Sequence, residues 1–175
     1  ADEPTTALDV TIQSDILSLL ADLQEAEDLA ILFVTHDLGV AARIADRVLV
    51  LYAGKAMEHG NVFDIYEEPA HPYTQALLQS VPGSAGPTRP IEGSLPDPTD
   101  PPDGCRFHPR CPHAVDACRS GEQPPMYPIE SDSHLVSCVF YGTPEDRPSN
   151  APMEWMNDGG TGSEDEAGTE VADDD

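Results

Sequence analysis

Two sets of residues in this chain are of types that carry chemistry. The first is the carboxylate pair Asp2-Glu3, with His36 placed directly after the apolar run AILFVT at 30–35. Acids and a histidine at the C-terminal ends of apolar strands stand where α/β sheets bind ligands. The second set is Cys105, Cys111, Cys118 and Cys138, separated by five, six and nineteen residues. Thiolates are metal ligands, and four of them suffice for a 4Fe-4S iron–sulfur cluster. Their spacing lacks the C-x₂₋₄-C knuckles of structural zinc, which stays as an alternative beside free thiols and disulfides. Arg106, Arg110 and Arg119 flank the cysteines and could offset an anionic cluster, whereas His108, His113 and His134 read as surface residues.

The elements that must position these groups follow from periodicity. Residues 10–26 form an amphipathic helix, with Ile12, Ile16, Leu19, Leu20 and Leu23 at helical spacing and Asp9 as its N-cap. The run 30–35 reads as a strand buried in a parallel sheet. VAARIA forms a second helix, and RVLVLYAGKAMEHG folds as two strands about Ala53-Gly54. After Asn61, a cap, VFDIYEEP and HPYTQALLQS read as two short helices divided by Pro69 and Pro72. The order predicts an α/β fold built on a mostly parallel sheet.

Composition separates these elements from the rest. Eighteen Pro and 13 Gly concentrate after residue 80, and the last 25 residues hold nine acids and no base. The predicted division is therefore 1–60, a first α/β unit; 61–82, a helical extension; 83–104, a Pro-rich linker; 105–142, the four-cysteine module; and 143–175, a disordered acidic tail. Net charge is −25, and Lys55 is the one lysine. That balance argues against nucleic-acid binding, which needs Lys and Arg to displace counterions. Lysine depletion with acidic helix faces fits a halophile, whose salt screens the self-repulsion. No apolar stretch reaches the ~20 residues of a membrane-spanning helix.

Asp2-Glu3, Thr6-Ala7-Leu8-Asp9 and Val34-Thr35-His36-Asp37, in this order, resemble the second half of an ABC-transporter nucleotide-binding domain. DEPTTALDVTIQ and HPYTQALLQSVP narrow the resemblance to ATP-binding subunits of oligopeptide, dipeptide or nickel importers, across residues 1–142. The resemblance implies that Asp2 holds Mg²⁺ through its water shell, that Glu3 orients and deprotonates the attacking water, and that His36 touches the γ-phosphate of ATP. Asp9 would lie in the loop that crosses to a partner domain. It further implies a second ATP-binding subunit, two membrane permeases and an extracellular substrate-binding protein as partners, with the chain peripheral on the cytoplasmic face. Some members of the group carry an iron–sulfur cluster at a similar cysteine pattern. HPYTQALL reads as a Pro-started helix, with His71 and Tyr73 at its rim.

The G-x-x-x-x-G-K-[ST] phosphate loop and the LSGGQ signature do not occur in these residues. The chain is therefore expected to start inside its active site, and on its own to be inactive toward ATP. The competing expectation is a non-catalytic remnant that serves as a metal-binding or docking module.

Overall fold

The computed structural model describes residues 1–81, 90–129 and 132–142. The expected acidic tail, residue 82 of the expected helical extension and residues 83–89 of the expected linker lie outside the described residues. Four α-helices and four strands follow in the order α1 (Val10–Glu27), α2 (Leu38–Ile44), β1 (Arg47–Tyr52), β2 (Lys55–Asn61), α3 (Val62–Glu67), α4 (Pro72–Gln79), β3 (Tyr127–Pro128) and β4 (Leu135–Val136).

Local chemistry sets most of these boundaries. Asp9 accepts the Thr11 and Ile12 amides and so starts α1, and Asp28 closes it in the left-handed conformation (φ 51). Asp37 caps α2 through the Val40 amide. Asn61 and Asp64 form a reciprocal capping box at α3. Pro72 occupies the first turn of α4, where its missing N–H costs nothing. Ala53 and Gly54 both adopt positive φ (46 and 76), the geometry that matches a two-residue hairpin turn to strand twist.

The sheet differs from the expected one. Its order is β1-β2-β4-β3, and every pair in it is antiparallel. The run 30–35 forms no strand; Val34 makes a single parallel bridge to Asp2. That bridge rests on Val34 N–H to the Ala1 carbonyl and Glu3 N–H to the Val34 carbonyl, both 2.8 Å. Among the described residues only the segment at 1–3 pairs with this run, so the parallel ladder goes no further. The apolar stripe of α1 is uncovered for the same reason: Leu17 is buried, while Ile12, Leu19 and Leu23 are exposed.

The core sits between the β1–β2 hairpin and the cysteine segment. Tyr52, Met57, Phe107, Cys105 and Cys118 form one buried cluster, and Ala70, Val136, Cys138 and Phe140 a second. Val115 and Val139 pack against both clusters and join them. A register shift in the hairpin pairs Val50 with Glu58 and Leu51 with Ala56, so Met57 is the extra residue of a bulge. Its carbonyl then accepts the Ser137 amide at 2.8 Å. The cysteine segment thereby joins the sheet: β4 is hydrogen-bonded directly to β2. The described part of the expected linker is likewise held down, because Arg110 donates to the Ile91 carbonyl at 2.7 Å and the Glu92 carbonyl at 2.8 Å.

Candidate functional site

The bridge between Asp2 and Val34 brings the first candidate group together. Glu3 lies beside the end of the 30–35 run, and His36 Nδ1 stands 2.8 Å from Glu3 Oε1. Thr6, which the sequence reading overlooked, donates its hydroxyl to Glu3 Oε2 at 2.9 Å. The signal was present as a hydroxyl three residues after the acid. The His36 imidazole, and then the Thr6 hydroxyl, hold the Glu3 carboxyl below the usual carboxylate range. Glu3 is therefore ionised at neutral pH, and His36 Nδ1–H is the donor in their contact. Glu3 and Ala7 have φ of 43 and 63, a left-handed conformation that costs a residue with a Cβ about 1–2 kcal/mol. Such strain concentrates at functional sites.

Asp2 is exposed at this bridge, next to Glu3. Asp9 stands apart from both as the cap of α1, with Oδ1 taking the Thr11 and Ile12 amides at 3.1 and 3.0 Å. Thr5 is buried between these acids, and its hydroxyl oxygen accepts from Gln13 Nε2 at 3.3 Å. The arrangement offers an ionised, doubly held carboxylate beside an imidazole and a second exposed acid, the equipment for orienting water and holding a cation.

The four cysteines come together as well. Cys105, Cys118 and Cys138 are buried, and Cys111 is half-buried. The Cys105 amide donates to the Cys118 carbonyl at 3.0 Å, and Gly104 (φ 65) makes that approach possible. A Cβ on Gly104 would meet the Cys118 carbonyl oxygen at 2.4 Å. Burial pushes the Cys111 thiol up to about 12 and raises Cys105 and Cys138 too. Among the described residues no three His, Cys, Asp or Glu side chains converge as ligands of one metal ion. This arrangement lends support to neither the zinc alternative nor the iron–sulfur expectation.

The flanking arginines do not surround the thiols as expected. Arg106 donates to the Ala53 carbonyl, and Arg110 holds Ile91, Glu92 and the Tyr52 hydroxyl. Two of the three are committed to tying the segment to the hairpin and its arm. The HPY stretch is also not at the rim. His71 is 1% exposed, with its ring 6.0 Å from that of Phe107, while Tyr73 stands 5.2 Å from Phe107 and 4.6 Å from Tyr52. His71 Nδ1 accepts the Tyr73 amide at 3.0 Å, which places the proton on Nε2.

Sequence reading also missed Glu58 and His134. Glu58 is fully buried, and His134 Nε2 lies 2.8 Å from its Oε1. His134 is therefore no surface residue. A buried charge demands partners, and no periodicity reveals which distant residue supplies them.

Burial lowers the His71 pKa to about 4, with Glu58 and the Ser137 carbonyl pulling weakly the other way. An unfolded histidine takes its proton near pH ~6.5. Between those values the unfolded chain binds the extra proton, so stability rises with pH across this window. It is fully present above the window and lost as pH falls through about 4. The expected loss reaches about 3 kcal/mol, read as a urea midpoint that drops between pH 7 and 4.5 and flattens in His71→Asn. A wild-type midpoint that stays flat over that range contradicts the assignment.

Comparison with known proteins falls on this arrangement. Residues 57–118 match the family model described as oligopeptide/dipeptide transporter, C-terminal region. The chain thus carries the C-terminal region of such transporters' ATP-binding subunits. It is 46% identical over 144 residues to the oligopeptide transport ATP-binding protein AppD of Bacillus subtilis, covering 81% of this chain and 43% of that protein. The dipeptide transport ATP-binding protein DppD of the same organism is 50% identical over 144 residues, covering 79% and 42%. DppD of Haemophilus influenzae is 46% identical over 159 residues, covering 89% and 46%. The homologues are ATP-binding subunits of peptide ABC transporters. The chain spans less than half the length of these relatives.

Proposed function

We propose that these residues belong to the ATP-hydrolysing subunit of an ABC importer for oligopeptides or dipeptides. The observation that carries the reading is the Glu3–His36 contact at 2.8 Å, set beside Asp2 by one parallel bridge. In the full-length protein Asp2 would hold Mg²⁺, which would supply charge to offset that of the phosphates. Glu3 orients the attacking water and accepts its proton, His36 reaches the γ-phosphate of ATP, and Asp9 faces the partner domain. The relatives, oligopeptide and dipeptide transport ATP-binding proteins, support the reading. So does the exposed stripe of Ile12, Leu19, Leu23, Leu32 and Val34, which a larger domain would cover.

The partners in this reading are a second ATP-binding subunit, two permeases and a substrate-binding protein. The chain sits at the cytoplasmic face; no helix among the described residues is long and apolar enough to cross a membrane. The lysine-poor acidic composition supports a salt-adapted host. The test is Mg²⁺-dependent ATP hydrolysis by the full-length subunit assembled with its permeases. Peptide-loaded binding protein is expected to stimulate it, whereas residues 1–175 alone, lacking the phosphate loop, are expected to show none. An assembled complex whose hydrolysis ignores both Mg²⁺ and peptide counts against the proposal.

A second reading concerns the thiols. Cys105, Cys111 and Cys118 pack in one core cluster and Cys138 in the cluster joined to it through Val115 and Val139, and four thiols are the donor set of a 4Fe-4S cluster. Iron and acid-labile sulfide in anaerobically purified protein support this reading, and their absence defeats it.

A further inference from the structure

We infer that Glu58 and His134 are positioning residues for Cys138, and that the HPY turn is the third member of this clasp. Three of the four thiols come from one short loop, residues 105–118, whose ends are fastened by Cys105 N–H to the Cys118 carbonyl and Gly104 N–H to the Gly121 carbonyl. Cys138 comes from elsewhere, and something must bring it to them.

The carboxylate of Glu58 does so from the middle of β2. Its Oε1 accepts the Ala70 amide and faces His134 Nε2, both at 2.8 Å, and its Oε2 accepts the His71 amide at 2.9 Å. One buried anion therefore ties β2, the turn before α4 and the residue just before β4. From His134 the chain runs straight into β4, where Leu135 pairs with His59 and Val136 with Glu58. Ser137 N–H reaches the Met57 carbonyl at 2.8 Å, and Cys138 follows. His71, held by the same carboxylate, also brings its ring toward Phe107 inside the 105–118 loop. The clasp thus grips both segments that must meet. A further side-chain tie is Gln123, which accepts the Arg106 amide at 3.0 Å and donates to the Ser137 hydroxyl at 2.7 Å.

This assignment goes beyond the ATPase reading and stands whether or not the thiols take up iron. It is tested on reduced, metal-free, full-length protein at constant pH, with iodoacetamide labelling of each cysteine followed by peptide mass spectrometry. Labelling of a buried thiol reports local opening. Loss of a hydrogen bond to a buried charge is expected to speed Cys138 labelling roughly tenfold or more in Glu58→Gln and His134→Ala. Cys105 and Cys118, fastened to each other, are expected to stay within about twofold of wild type. His134→Gln keeps an N–H donor for Glu58 and is expected to restore slow Cys138 labelling. If Glu58→Gln does not fold, the two His134 variants carry the test. Cys138 unchanged in His134→Ala, all three thiols released together, or His134→Gln no better than His134→Ala each overturn the assignment.

Discussion

Glu3→Gln is expected to lower ATP hydrolysis by the full-length, assembled transporter at least about a hundredfold, the scale of losing a positioned general base. Gln matches Glu in size, so packing and nucleotide binding are expected to stay near wild type and the loss to fall on kcat. The cause lies in what each carboxylate oxygen faces. Oε1 meets His36 Nδ1 and Oε2 meets the Thr6 hydroxyl. The amide of Gln presents an N–H to one of those donors and so breaks one contact. It also removes the negative charge to which the proposed function assigns the orienting and deprotonation of water. Thr6→Ala keeps the charge but frees one oxygen, and a smaller loss is expected. His36 and Thr6 keep the Glu3 carboxyl below its ordinary range. The acid limb of the rate profile should therefore not begin at the usual carboxylate pKa. A Glu3→Gln complex retaining half of wild-type turnover removes Glu3 from the mechanism.

Phe107→Ala is expected to cost about 3–5 kcal/mol of folding stability, the range for emptying a buried aromatic site. Phe107 is fully buried. Tyr52 meets it edge-on at 5.3 Å and 85°, Tyr73 is tilted at 5.2 Å, and His71 at 6.0 Å. These rings come from β1 and from the start of α4 with its capping residue, so one residue of the cysteine loop fills the space where two other segments meet. Alanine leaves a cavity that rigid rings cannot collapse into, and the ring–ring contacts are lost with it. Urea denaturation of Phe107→Ala against Phe107→Leu separates volume from mere polarity: the leucine variant should recover part of the loss. An alanine variant within about 1 kcal/mol of wild type denies Phe107 its keystone place.

Much of the local structure was legible because single residues write it. Asp9, Asn61 and Pro72 announce the starts of α1, α3 and α4, and Ala53-Gly54 announces the hairpin. The pairing of Asp2-Glu3 with His36 was legible too, since strand ends converge in any sheet that contains them. The parallel sheet was not realised because apolar runs state that a strand is buried without naming its neighbour. The strands β3 and β4 escaped notice at two residues each, too short for any alternation to show. Glu58 was silent for a different reason. A lone acid in a strand looks like a solvated position, and its histidine lies 76 positions away. Nor does the HPY stretch display its burial, because His and Tyr are at home on surfaces.

The pairing of β2 with β4 has a consequence for how the chain comes to be folded. The β1–β2 hairpin closes within fifteen residues, yet the far side of β2 receives its strand only from Leu135–Val136. During synthesis that side of the hairpin stands open, its amides and carbonyls available to any other extended chain, until the cysteine segment has emerged. The later strand is thus the guard of the earlier hairpin, and a nascent chain stalled short of β4 is a template for unwanted strand pairing.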